Sequence, residues 1–122
     1  MLKILVVDDD PSILDAMEVA LTLEGYEVEG TCKGEETFSK IKTFSPDLVL
    51  MDVYLAGIDG RDICKKIKSD VQTRKLPVVI FSADKSMKQV FKECHADDFI
   101  GKPFKMDELY EKIKNQTSHI LY

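Results

Sequence analysis

Three consecutive aspartates, Asp8, Asp9 and Asp10, follow directly on an apolar run at residues 4–7, and a fourth, Asp52, closes a second apolar run at 48–51. Ser82 closes a third run, at 78–81, and Lys102 stands one glycine beyond the short pair Phe99-Ile100. If those runs are parallel strands, their carboxyl ends share one edge of the sheet, where crevices are the usual ligand sites. Residues far apart in sequence then converge on one pocket. Asp8, Asp9 and Asp52 crowded together repel one another unless a cation binds. A set of carboxylate oxygens without His or Cys suits a hard ion such as Mg2+ or Mn2+. A carboxylate held beside such an ion can act as a nucleophile towards a phosphoryl group. Lys102 would then neutralise charge on the phosphoryl oxygens, and the Ser82 hydroxyl can donate to another of them.

The elements that would position these groups are legible from pattern. The runs at 4–7, 48–51 and 78–81 are apolar on consecutive residues, the mark of strands buried on both faces of a parallel sheet. A weaker alternating strand is expected from Tyr26 to Thr31, and a short one at Phe99-Ile100. Between them lie helical spacings. Ile13, Met17, Ala20 and Leu21 mark one helix, ended by Gly25. Phe38, Ile41 and Phe44 mark a second, closed by Ser45-Pro46. Ile63 and Ile67 mark a third, starting near Gly60; Met87, Val90 and Phe91 a fourth; Met106, Leu109, Tyr110 and Ile113 a fifth. Asp10 before Pro11 fits a helix N-cap with proline in the first turn. The alternation predicts an α/β domain with right-handed crossovers, one domain over residues 1–122, with a frayed tail after Asn115.

Composition narrows the function classes. With 22 acidic against 17 basic residues the formal net charge is -5, which argues against direct binding to nucleic acid or to anionic membranes. Cys32, Cys64 and Cys94 are odd in number and lack a CxxC spacing, so they read as small buried or half-buried thiols in a reducing compartment. No apolar run approaches the roughly 18 residues of a membrane span. No signal-peptide pattern precedes the first strand, and a cytoplasmic location is expected. His95 and His119 have no ligand-spaced partners, which excludes a transition-metal site. Neither GxGxxG nor GxxxxGK occurs, which disfavours nucleotide binding.

The segments ILVVDDD, LVLMDVYLAGIDG, VVIFSADK and DDFIGKPF, in that order, span essentially the whole chain and resemble the receiver domain of two-component response regulators. The resemblance implies a flavodoxin-like (βα)5 fold, a doubly wound parallel five-stranded sheet of order 2-1-3-4-5. It implies that Asp52 is the phosphoacceptor, that Asp9 binds Mg2+ directly and Asp8 often through a water, and that the main-chain carbonyl of Tyr54 completes the metal ligands. Ser82 becomes the switch hydroxyl, Lys102 the phosphate counter-ion and Phe99 the aromatic switch, with a cis Lys102-Pro103 bond. The implied donor is a sensor histidine kinase or histidine phosphotransfer protein. Output passes to a downstream protein or effector domain through the Phe99 face, or to a second copy in a homodimer. Such a domain is a signalling phosphoacceptor, not a turnover enzyme.

Several positions depart from the family pattern. Ala56 stands where a proline is usual, His95 where a glycine is common, and Phe99 where tyrosine is frequent. Ala56-Gly57 is expected to leave its loop less restrained, and His95 to be strained if its φ is positive. Tyr54 and Asp84 match positions that tune phosphoryl hydrolysis in the family: a bulky Tyr54 screens water, Asp84 orients it, and sequence does not rank the two. The competing function is a phosphorylation-independent pseudo-receiver that binds protein constitutively, against which the intact Asp8, Asp9, Asp52, Ser82 and Lys102 set argues. An aspartyl-phosphate phosphatase would resemble this chain chemically but would carry an Asp where Tyr54 stands. Asp59, Asp62, Asp97 and Asp98 read as surface or capping residues. Phe91, Phe99 and Phe104 read as packing.

Overall fold

The computed structural model describes residues 1–120. In it the strands are β1 (Lys3–Val7), β2 (Glu27–Thr31), β3 (Leu48–Asp52), β4 (Val78–Ser82) and β5 (Asp98–Gly101). They pair in parallel throughout, in the order 2-1-3-4-5 expected of a flavodoxin-like sheet. Helices α1 (Pro11–Leu23), α2 (Thr37–Phe44), α3 (Gly60–Ser69), α4 (Met87–Val90) and α5 (Met106–Thr117) lie between and after them.

The sheet separates two apolar layers, and side-chain alternation explains why the central strands are apolar at every position. Leu5, Val7, Val49, Met51, Val78 and Ile80 enter one layer with Phe44, Ile63 and Ile67 of α2 and α3. Their neighbours Ile4, Val6, Leu48, Leu50, Val79 and Phe81 enter the other with Met17 and Leu21 of α1 and Leu109 and Ile113 of α5. Edge strand β2 is only half buried, as its weaker alternation predicts. Asp10 caps α1 by accepting from the Ser12 N–H, with Pro11 at the first helical position, and Gly25 at φ 97° follows the helix end.

Four expectations are corrected. Phe38 is exposed; Thr37 takes the buried position in α2, its hydroxyl donating to the Gly34 carbonyl at 2.7 Å. The fourth helix is a single four-residue turn, and Phe91 begins a four-residue 3-10 turn ending at Cys94 instead of extending it. The chain beyond Asn115 is not frayed at Thr117, which is buried and closes α5 with a hydroxyl bond of 2.7 Å to the Ile113 carbonyl. Cys32 is exposed, whereas Cys64 and Cys94 are buried.

Candidate functional site

Asp8, Asp52 and Ser82 sit at the ends of β1, β3 and β4, and Lys102 follows β5. Parallel pairing sets them level: Val7 pairs with Met51, Asp52 with Phe81 and Ser82 with Gly101. Asp8 and Ser82 are completely buried, and Asp52 is nearly so. The Lys102 ammonium bonds to Asp8 Oδ2 at 3.0 Å and to Asp52 Oδ2 at 3.2 Å, so one cation ties three strand ends together. It also lies 4.5 Å from the centroid of the Phe81 ring, which supports its stem in a cation–π contact.

Burial holds the Asp8 carboxyl above its ordinary range, opposed by bonds from the Asp10 N–H and from Lys102. The desolvated anion is therefore under-compensated by one shared lysine, and the pocket has capacity for further positive charge. Asp9, exposed at the rim, completes the set: one oxygen each from Asp8, Asp9 and Asp52 lie within 4.8 Å of one another. Three convergent carboxylate oxygens fit a hard divalent cation.

The loop after β3 makes the other wall. Residues 54–55 and 58–59 form a two-residue antiparallel ribbon, with Ala56 and Gly57 at its tip. Both tip residues have positive φ, 43° and 87°, as a type I′ turn requires. Proline, fixed near φ -65°, cannot stand there. The loop is therefore not loosened by Ala56. Its N–H donates to Asp9 Oδ2 at 3.3 Å, a bond that proline cannot make, so the departure supplies a tie to the acidic rim. The Tyr54 N–H lies 3.4 Å from Asp52 Oδ1. His95 has φ 65°, the conformation suspected from sequence. The Lys102-Pro103 bond is cis, as expected.

Tyr54 and Asp84 meet above this floor. The Tyr54 hydroxyl donates to Asp84 Oδ2 at 3.0 Å, and Asp84 Oδ1 accepts from the N–H and hydroxyl of Ser86 at 3.0 and 2.6 Å. The Ser86 bonds, with a smaller part from Tyr54, hold the Asp84 carboxyl below its ordinary range; the same contact raises the Tyr54 phenol. Ser82 Oγ accepts from the Asp84 N–H at 3.1 Å, leaving its own proton available. Phe99 is buried and stacks on Phe91, with ring centroids 6.1 Å apart. Beside it a groove of about 480 Å³ carries Lys85, Lys88, Lys102 and Lys112.

Two contributors were not legible as site residues. Gly60 packs so closely beneath β3 that a Cβ would overlap the Asp52 carbonyl oxygen, and its N–H bonds to the Val53 carbonyl at 2.7 Å. Its signal was a glycine eight residues beyond the acceptor aspartate at the start of a helix. The donor role of the Ala56 N–H had no signal in sequence. Asp59 caps α3 by accepting from the Arg61 N–H, Asp97 binds Lys68 and Asp98 binds Lys112, so these three are structural as expected.

Residues 4–114 match the family model described as the response regulator receiver domain. The chain is 37% identical over 114 residues to the alkaline phosphatase synthesis transcriptional regulatory protein PhoP of Bacillus subtilis, covering 92% of this chain and 47% of that protein. It is 34% identical over 114 residues to the DNA-binding response regulator MtrA of Mycolicibacterium smegmatis, covering 92% and 49%. The chain thus spans about half the length of these curated relatives. The name of the MtrA relative, a DNA-binding regulator, conflicts with the expectation of no nucleic-acid partner. Among solved structures, response regulator TrrA of Thermotoga maritima, in complex with Mg(2+)-BeF, superposes with a TM-score of 0.86 at 32% identity over 95% of this chain and 99% of that one. Among the described residues no helix is long and apolar enough to cross a membrane.

Proposed function

This chain belongs to the response regulator receiver domain family of two-component systems, and from that premise we propose that Asp52 accepts a phosphoryl group from the phosphohistidine of a sensor kinase or histidine phosphotransfer protein. The observation that carries the proposal is the Lys102 ammonium held between Asp8 and Asp52, 94 and 50 residues away in sequence. A structural ion pair needs one carboxylate; two carboxylates at strand ends around one lysine, with a third at the rim, make a place for phosphoryl charge.

Mg2+ or Mn2+ would be held by Asp8, Asp9, Asp52 and the main-chain carbonyl of Tyr54. When bound it supplies charge neutralisation on the phosphoryl oxygens. An Asp52 carboxylate oxygen attacks phosphorus, the bond from phosphorus to the donor imidazole nitrogen breaks, and the imidazole leaves with the electron pair. Lys102 exchanges its bond with Asp52 for one to a phosphoryl oxygen while keeping Asp8. The Ser82 hydroxyl donates to a second phosphoryl oxygen, which draws in the loop that follows β4. Phe99 is buried and stacked on Phe91, so its response to phosphorylation would be transmitted through that ring stack. The shift of the loop after β4 reaches α4, the Phe91–Phe99 stack and the lysine-lined groove. That face would meet the downstream protein, an effector domain of a longer chain, or a second copy.

The Tyr54–Asp84 bond favours screening over water activation as the stronger of the two opposed effects on phosphoryl lifetime. The Tyr54 hydroxyl and Ser86 each occupy one Asp84 oxygen, which reduces the capacity of Asp84 to orient water, and a bulky Tyr54 would screen the acceptor. On this reading slow loss of the phosphoryl group is expected.

The test is the intact mass after incubation with acetyl phosphate and Mg2+, beside Asp52→Asn. One phosphoryl adduct, absent with EDTA and in the variant, is expected. No adduct together with no response to beryllium fluoride would replace this reading by a constitutive protein-binding module.

A further inference from the structure

Cys64 and Cys94 are 30 residues apart in sequence and meet in the layer beneath α3. Cys64 is on the buried face of α3, Cys94 ends the 3-10 turn after α4, and neither has more than 1% of its surface exposed. The Cys64 Sγ lies 3.4 Å from the Cys94 carbonyl oxygen, and Cys94 Sγ lies 3.0 Å from the Phe91 carbonyl oxygen. The neighbouring Cys64 thiol lowers the Cys94 thiol, with smaller help from the Ala96 N–H and Lys65, and the thiol of Cys64 is raised by the same neighbour and by burial.

Cys94 is only 1% exposed, so a reagent reaches its sulfur when the turn opens, and a cleft stands against that turn. A cleft of about 220 Å³ between the start of α3 and the 3-10 turn is lined by Cys94 with Asp59, Arg61, Asp62, Lys65 and Glu93. The turn that carries Cys94 follows the shortest helix of the fold, where opening costs least.

We propose that Cys64 and Cys94 are a reversible redox pair, closed to a disulfide by a hydroperoxide, and that the crosslink fastens the segment after α4 to α3. The Cys94 thiolate attacks the terminal oxygen of the hydroperoxide; the O–O bond breaks and the alkoxide leaves, taking up the proton released by the thiol. Cys94 is then a sulfenic acid. The Cys64 sulfur attacks it, the S–S bond forms, and the S–O bond breaks as water departs with the Cys64 proton. Two thiols lose two electrons and the peroxide takes them. Because Cys94 closes the turn that Phe91 opens, the crosslink also fixes the ring stacked on Phe99. That consequence rests on the switch reading above; the crosslink itself does not.

The chain carrying Cys32→Ser, which removes the exposed thiol, is treated with hydrogen peroxide, unfolded and alkylated. The expected product is 2 Da lighter by the two hydrogens lost, takes up no alkylating agent until dithiothreitol is added, and yields one linked peptide pair containing Cys64 and Cys94. Sulfinic acid at Cys94 without a link, or two fully alkylated thiols together with no trapped sulfenic acid in the next variant, would overturn the proposal. Cys64→Ala in the same background keeps the test open if the link is only transient: dimedone then traps a sulfenic acid at Cys94, and its failure to do so in a chain folded by circular dichroism counts against the pair. Beryllium fluoride with Mg2+ separates the two readings. If it shifts the Phe91 and Phe99 ring resonances in the reduced chain and not in the oxidised one, the crosslink blocks the switch. If it shifts them in neither, the switch fails while the redox pair stands, and equal shifts in both remove the regulatory consequence.

Discussion

Strand β3 is buried along all five residues and delivers Asp52 at its last position, whereas the segment between β4 and β5 offers four residues of α-helix and four of 3-10 helix. The acceptor aspartate is fixed by strands on either side, by Lys102 from above and by Gly60 from below. Phe91 and Phe99, which would carry the signal, lean on each other across a single turn. A receiver needs both constructions. The acceptor must be preorganised, because an attacking carboxylate displaced by about 1 Å can lose two orders of magnitude in rate. The output segment must yield to a loop shift worth a few hydrogen bonds, so it comes from the weakly built part of the fold.

The comparison can be broken most severely at the rigid edge. Lys102→Ala leaves Asp8 and Asp52 facing each other without their shared cation, and the rate of phosphoryl incorporation from acetyl phosphate should fall by about 100-fold, the usual cost of losing one charge-stabilising group. A loss below about threefold would show that the lysine is structural only. Gly60→Ala forces a methyl group against the Asp52 carbonyl. Overpacking of this kind costs about 1–3 kcal/mol, visible as a lowered urea midpoint, and the displaced acceptor should also take up phosphate more slowly. Wild-type stability in this variant would mean that the β3 end moves freely, and the claim of a fixed edge would go. The smallest effect belongs to the rim. Tyr54→Phe keeps the ring but releases Asp84 Oδ2, and should shorten phosphoryl lifetime about fivefold, the equivalent of one hydrogen bond of about 1 kcal/mol. An unchanged lifetime would leave screening by the ring as the sole control.

The same contrast explains what the sequence disclosed. Strands β1, β3 and β4 are apolar at consecutive positions because each face meets its own layer, and Asp8, Asp52 and Ser82 were legible because each stands where such a run stops. Lys102 was legible for the same reason. The α4 segment was not, since Met87 and Phe91 fit a helical spacing although the helix ends between them. Phe38 misled in the same way: a three-residue step is only part of a helical period, and Thr37 holds the inward position. Ala56 was misread because its contribution is a main-chain N–H at positive φ, and main-chain donors leave no mark in side-chain pattern.

Amide hydrogen exchange with and without beryllium fluoride and Mg2+ tests the contrast most directly. Strands β1, β3 and β4 should exchange slowly in both states, with protection changing chiefly in residues 83–101. A uniform change across the sheet, or none in that segment while the acceptor responds, would contradict a rigid acceptor edge coupled to a yielding output segment.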